Sequence, residues 1–161
     1  MQNRDSKHMT RWYGAALVLA ALSMTAEAAH VLELPQKLHF DAAFYAAVNG
    51  TLYLYFAIVG GSVQVAAIIV TILLAARARG RARVPAIAAA ALLALAFVAW
   101  AAIVSPVNAE VARVASERPA ALPALWMTRR TRWEGGHVVG FVLQLAGYMA
   151  LVAAALRRDD R

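Results

Sequence analysis

Two stretches of this chain, Ala42 to Ala76 and Val84 to Ala109, contain no Asp, Glu, Lys, Arg or His. Uncharged apolar runs beyond about 18 residues have one common outlet, a helix that crosses a bilayer. A helix is also the only open-chain form that satisfies its own backbone in hydrocarbon. Composition agrees: 62% of residues are apolar and 16% charged, against about 25% charged in a soluble domain. Such apolarity excludes a disordered chain. The net charge of +7 does not describe a nucleic-acid surface, because the arginines sit between and beyond the apolar runs, where membrane proteins place their anchors. The absence of cysteine removes disulfides, thiolate catalysis and Cys-ligated zinc or iron–sulfur centres.

Four spans follow, at about 12–31, 51–76, 84–105 and 135–156. The expected fold is all-α: one integral membrane domain over 1–161, a four-transmembrane-helix up-down bundle. Ten Lys and Arg fall in the N-terminal tail (Arg4, Lys7, Arg11), the 77–83 connection and the C-terminus (Arg157, Arg158, Arg161), against six on the other side. That bias places both termini in the cytoplasm, as a multi-pass protein of a cell membrane, the bacterial inner membrane in the simplest case. A rival reading makes residues 1–28 a cleaved signal peptide, with apolar Trp12–Met24 followed by Ala26-Glu27-Ala28. Residues 33–50 read as a loop with a short interfacial helix bearing Phe40, Phe44 and Tyr45. The connection 106–134, interrupted by Pro119 and Pro123, reads as an outer loop and a natural lid.

Ionisable residues in or near spans mark functional sites by default, and here they cluster at one set of helix ends. Glu27 and His30 share a face at the end of span one, with Glu33 following. At the start of span four, Glu134, His137, Phe141, Gln144 and Tyr148 fall on about one face beside a stripe of Gly136, Gly140 and Gly147. Asn49, Tyr53 and Gln64 share a face of span two, and Asn108 follows span three. An up-down bundle brings Glu27, His30, Asn49, Tyr53, Asn108, Glu134 and His137 together. Plainer roles compete with each assignment. The histidines suit an interface, Arg129, Arg130 and Arg132 suit lipid headgroups, and Trp126 and Trp133 suit the aromatic belt. The glycine stripe suits close packing, and Gln64 and Gln144 suit interhelical hydrogen bonding.

Both Glu-x-x-His pairs have the spacing of di-iron carboxylate bundles, but those sites draw further Glu residues from the other two helices, and spans two and three supply none. Two histidines facing across a bundle also suit haem. Without metal or cofactor, a His oriented by a Glu abstracts a proton, and Arg132, Asn108 or Tyr53 stabilises the resulting oxyanion.

Glu33-Leu34-Pro35, Pro106-Val107-Asn108 and Arg130-x-Arg132-Trp133-Glu134-x-x-His137 together resemble the anthrone-oxygenase-like family, small four-helix membrane proteins long catalogued as a domain of unknown function. The similarity covers nearly the whole chain in span order and length. A departure is Gly140, where a second basic residue is expected. The resemblance implies oxidation of a polycyclic anthrone, or a similar hydrophobic polyketide-like aromatic, to a quinone by molecular oxygen, with no established cofactor. For that chemistry, the convergence of polar residues at one depth makes His137 the expected base, oriented by Glu134, with His30 or Arg132 facing the oxyanion and Glu27 beside them. Asn49, Tyr53, Asn108, Gln144 and Tyr148 then line the substrate site, and no metal is required. The expected partners are membrane lipid and a hydrophobic small molecule, not nucleic acid, with a homo-oligomer or larger membrane complex left open. Two other classes stay open: a non-enzymatic subunit binding a partner, quinone or haem, and a small exporter, although no mid-membrane carboxylate supplies the usual proton coupling.

Overall fold

The computed structural model describes residues 2–53 and 55–158, with side chains from His8 onward. Arg161, and the side chains of Arg4 and Lys7 used in the charge count, lie outside the described residues. Among those described there is no strand. The α-helices are α1 (Gln2–Lys37), α2 (Ala42–Leu52), α3 (Gly61–Arg77), α4 (Arg83–Ile103), α5 (Ser105–Glu117) and α6 (Leu122–Leu156). A π-helical segment, Phe56–Gly60, leads into α3, and 3₁₀ turns precede α4 and α6.

Four helical stretches are long and apolar enough to cross a membrane: His8–Lys37, Phe56–Arg77, Gly80–Glu117 and Pro119–Leu156. Their outward side chains are apolar too, among them Val18, Leu22, Ile69, Ile72, Leu95, Val98, Val142 and Met149. So much exposed apolar surface belongs against lipid rather than water. The chain is a multi-pass helical membrane protein.

Three boundaries differ from expectation. First, α1 does not stop near Val31 but continues through Pro35 to Lys37, which converts part of the expected loop into helix. Pro35 removes one backbone donor, yet the turn holds, and Leu38 N donates to Leu34 O. Second, residues 51–53 belong to the end of α2 rather than to a span. Asp41 caps α2 by accepting from Phe44 N at 2.8 Å, satisfying an otherwise orphaned first-turn donor. Third, the expected outer loop over 106–134 is almost wholly helical. Pro119 and Pro123 lie in the first turns of their helical segments, where no N–H is needed, so they start helices instead of preventing them.

α1 packs against α3 and α6, and α4 packs against the same two helices. Near the chain termini the contact is made by small residues: Ala16 and Ala20 of α1, Ala86, Ala89 and Ala90 of α4, and Ala154 of α6, filled in by Tyr13, Leu74, Leu93 and Leu151. Small side chains let helix backbones approach closely in a membrane. Gly80, at φ 57°, makes the tight turn between α3 and α4, a conformation that glycine adopts without steric cost. At the other end the packing is aromatic: Tyr45, Tyr53, Trp126 and Trp133 with Val104 and Val107.

Candidate functional site

At this aromatic end the helices enclose a cavity of about 480 Å³. Glu27 and His30 of α1, Asn49 of α2, Tyr53 just beyond it, Asn108 of α5, and His137 and Gln144 of α6 all line it. Eight of the ten anticipated residues are thereby brought together, counting Glu134, which is buried in the same cluster but outside the cavity lining. Arg132 and Tyr148 are not.

Arg132 answers to Pro106. A proline in a helix cannot donate to the carbonyl four residues back, which here is Ala102 O. Arg132 Nη2 donates to Ala102 O at 3.0 Å and its Nε to Ile103 O at 3.2 Å, capping the α4–α5 junction. Its neighbours are likewise engaged by protein. Arg129 makes a two-point contact with Glu110, at 2.7 and 3.1 Å, and Arg130 reaches the carbonyls of Lys37 and Leu38 at the end of α1. Tyr148 shares the helical face of His137, but eleven residues of α6 carry it about 16 Å along the axis. There it packs against the alanine-rich core.

The carboxylates pair across helices. Glu134 does not orient His137; that partner is Glu27 of α1, whose Oε2 lies 2.7 Å from His137 Nδ1. Both Glu-x-x-His pairs face the bundle interior, and neither glutamate pairs with the histidine of its own helix. Glu134 instead accepts from the Tyr45 hydroxyl at 2.7 Å and lies 3.5 Å from Lys37 Nζ.

Lys37 is the residue that sequence reasoning missed. It is one of the six charges on the outer side, in a stretch that reads as a loop beyond a span ending near Val31. With the helix continued, Lys37 falls one turn beyond Glu33 and two beyond His30, on their face. That i, i+3, i+7 spacing of His30, Glu33 and Lys37 is the available signal. Only 1% exposed, its ammonium lies 3.2 Å from Glu33 Oε2, donates to His30 Nδ1 at 3.2 Å and sits 4.4 Å from the Tyr53 ring centroid. The Tyr53 hydroxyl closes the ring by donating to Glu33. Burial, reinforced by Glu134, pushes the Tyr45 phenol well above its usual range. Burial and then the Glu33 hydrogen bond do the same for Tyr53. Both hydroxyls therefore stay protonated and act as donors.

These contacts fix where the imidazole protons sit. A carboxylate only accepts, so His137 donates from Nδ1, and in the neutral ring the Nε2 lone pair is open. An ammonium only donates, so His30 accepts at Nδ1 and carries its proton on Nε2. The two rings stack at 4.0 Å between centroids, 29° from parallel. One imidazole offers a base, its neighbour an N–H donor. His137 Nε2 is buried and has no hydrogen-bond partner.

Trp133 and Trp126 are 4% exposed and line the cavity, which overturns their reading as membrane-belt residues. Trp133 stands edge-on to His137, with centroids 4.3 Å apart, and its Nε1 donates to Asn108 Oδ1 at 2.8 Å. Gly140 has a role in the same arrangement: a Cβ there would lie 3.1 to 3.3 Å from the Glu27 carboxyl group. Among the described residues, no group of three or more His, Asp and Glu side chains is placed to hold a metal ion. Compared with protein-family models, curated proteins and solved structures, the chain matches none, and the reading of the site rests on its own geometry.

Proposed function

We propose that this chain is an integral membrane oxidoreductase of the anthrone-oxygenase kind, oxidising a flat hydrophobic aromatic substrate with molecular oxygen. The observation that carries the reading is the stacked imidazole pair, one ring against a carboxylate and the other against an ammonium, lining a cavity in the bundle. The stretches 106–108 and 130–137, both part of the family resemblance, also meet through the Trp133–Asn108 hydrogen bond. That contact supports the resemblance without depending on it.

In this proposal His137 Nε2 removes a proton from the acidic carbon of an anthrone, and the new imidazolium is held by Glu27. Negative charge moves to the ring oxygen, which His30 Nε2–H stabilises with Lys37 behind it; of the two residues expected there, His30 and Arg132, the proposal keeps His30. The carbanion adds oxygen and the peroxide is protonated. Loss of the second proton from the same carbon then breaks the O–O bond. One anthrone and one oxygen molecule become one quinone and one water, with no external reductant.

The bundle is read as up-down. Gly60 facing Ala26, Gly136 facing Val104 and Gly147 facing Leu93 support that sense, and the arginine bias favours cytoplasmic termini in a bacterial inner membrane. We read α1 as a retained span rather than a leader, because it supplies Glu27, His30 and Lys37 to the site and Ala16 and Ala20 to the core. The substrate enters from the lipid, where such aromatics partition.

Oxygen uptake by purified protein given anthrone tests the reading. The expected result is one oxygen consumed per quinone formed, and a fall of about 10²- to 10⁴-fold in His137→Ala, the usual value of a positioned general base. Retained turnover in that variant removes the base assignment. Tight binding of aromatics with no oxygen consumption makes the chain a binding subunit. A Soret band lost in His30→Ala makes the imidazoles haem ligands.

A further inference from the structure

The cavity has a polarity that the imidazole chemistry does not use. Among the described residues, four buried side-chain atoms have no hydrogen-bond partner, and three of them, Gln64 Nε2, Asn49 Oδ1 and His137 Nε2, belong to residues lining this cavity. A buried group left unsatisfied costs about 1–3 kcal/mol, so three around one space point to a ligand that satisfies them. Their chemistry is divided by depth. Asn49 Oδ1 can only accept, as can His137 Nε2 in the neutral ring that donates from Nδ1. Gln64 Nε2, at the floor, can only donate.

The depth of Gln64 follows from its neighbours. A Cβ on Gly60 would meet Ala26 at 3.3 Å, and Arg77 lies 5.0 Å from the Trp12 ring centroid, so α3 runs opposite to α1. One turn beyond Gly60, Gln64 falls level with Ser23. Seven residues of α1 separate Ser23 from His30, about 10 Å along the axis. Ser23 Oγ donates to Gln144 Oε1 at 2.9 Å, which occupies that carbonyl. Gln64 is 7% exposed, so its amide is held at the floor away from water, where an unused N–H is a recognition element rather than helix-to-helix glue.

Resting on the reading of this cavity as the ligand site, we infer that Gln64 anchors a hydrogen-bond-accepting oxygen on the far terminal ring of an elongated polycyclic aromatic, whose reacting ring lies at the imidazoles. The ligand then binds in one orientation, acceptor inward and donors outward. Three rings fused in line span roughly the two helical turns available. Aromatics that carry oxygen only near the reacting ring leave Gln64 unsatisfied.

The test needs no turnover. Trp100, Trp126 and Trp133 line the cavity, so energy transfer from tryptophan to an anthracene probe reports its occupation. The probes are 2-acetylanthracene and 2-isopropenylanthracene, of the same shape but with and without the terminal-ring acceptor. In nanodiscs of fixed lipid composition the wild-type protein should bind the acetyl probe about tenfold more tightly, after correction for each probe's partition into protein-free discs, the scale of one hydrogen bond in a dry site. Gln64→Met, which keeps length and removes the donor, should bring the two affinities within about twofold. Gln64→Asn, with its donor withdrawn by one methylene, should fall between and serves if the methionine variant does not fold. Equal affinities in the wild type, or an unchanged preference in Gln64→Met, overturn the inference. Loss of the acetyl preference with oxygen uptake intact leaves the oxygenase reading standing. A Gln64-dependent preference without oxygen uptake leaves the recognition standing and removes the oxygenase.

Discussion

The same four membrane-crossing stretches build two unlike halves. Near the termini they meet through alanines and a few large apolar side chains, with Ala16, Ala86, Ala89 and Ala154 fully buried. At the other end they are held apart by aromatic rings and by Glu27, His30, Lys37, Glu134 and His137, all buried. Close packing satisfies the helices of the first half by contact alone. In the second, each buried charge needs a partner in a medium that offers no water, and the result is a connected network around an open cavity. Where helices touch through small residues, nothing can bind between them. Where they are spaced by polar and aromatic side chains, something can.

The largest expected effect that separates the halves lies at Lys37. Its ammonium faces Glu134 at 3.5 Å, both side chains almost wholly buried. Removing one partner of a buried pair costs about 3–5 kcal/mol, because the other charge is left uncompensated. Lys37→Met should lose that much in unfolding by SDS titration, and Lys37→Met combined with Glu134→Gln should recover most of it. A single variant as stable as wild type would mean that the network is loosely held, and the contrast between halves would fail.

The sequence made the first half and the existence of the second legible, but not the wiring of the second. Charge-free runs locate spans because hydrocarbon excludes charge along their whole length. The 100° step of a helix put Glu27 with His30 and Glu134 with His137 on inward faces, and both pairs are there. Periodicity gives a face, however, not a partner. It could not say that His137 would take Glu27, nor that Tyr148, on the correct face, would lie three turns too deep. Lys37 was hidden because the apolar run ends near Val31 while the helix continues to Lys37. Arg132 was misplaced because its partner is a backbone carbonyl freed by Pro106, and side-chain patterns do not report carbonyls.

A smaller effect tests the junction between the halves, where α6 passes the α4–α5 break. A Cβ on Gly136 would lie 2.5 Å from Val104 Cγ2 and 3.0 Å from Ile103 Cγ2. Two branched side chains cannot both retreat in a packed interface, so Gly136→Ala should destabilise by about 1–3 kcal/mol, the usual range for overpacking. The adjacent Gly135 has open space at its Cβ, and Gly135→Ala should be neutral or slightly stabilising, since alanine is the better helix former by about 1 kcal/mol. Equal effects of the two substitutions would show that α6 is not seated against Val104.

The smallest expected stability changes discriminate best, because two glycines on one stripe of α6 should fail in different ways. Gly147 belongs to the packed half, where an added methyl would lie 3.1 Å from Leu93 Cγ and 3.2 Å from its Cδ2. Gly140 belongs to the polar half, where the same methyl would press on the Glu27 carboxyl group. Each clash is mild enough for the neighbour to yield by a few tenths of an ångström, and each variant should lose less than about 1 kcal/mol of stability. The consequences then part. Leu93 moves among other apolar atoms and no chemistry follows, so Gly147→Ala should leave oxygen uptake unchanged. Glu27 cannot move without disturbing its 2.7 Å contact with His137 Nδ1, which fixes both the orientation of the base and the site of its proton. Displacements well under 1 Å matter there, because reactivity depends steeply on alignment. Gly140→Ala should therefore slow turnover about tenfold while its unfolding curve stays near that of wild type. If Gly140→Ala and Gly147→Ala instead lost activity only in step with stability, Glu27 would be a packing element like Leu93, and the chemical half of the bundle would end at its histidines.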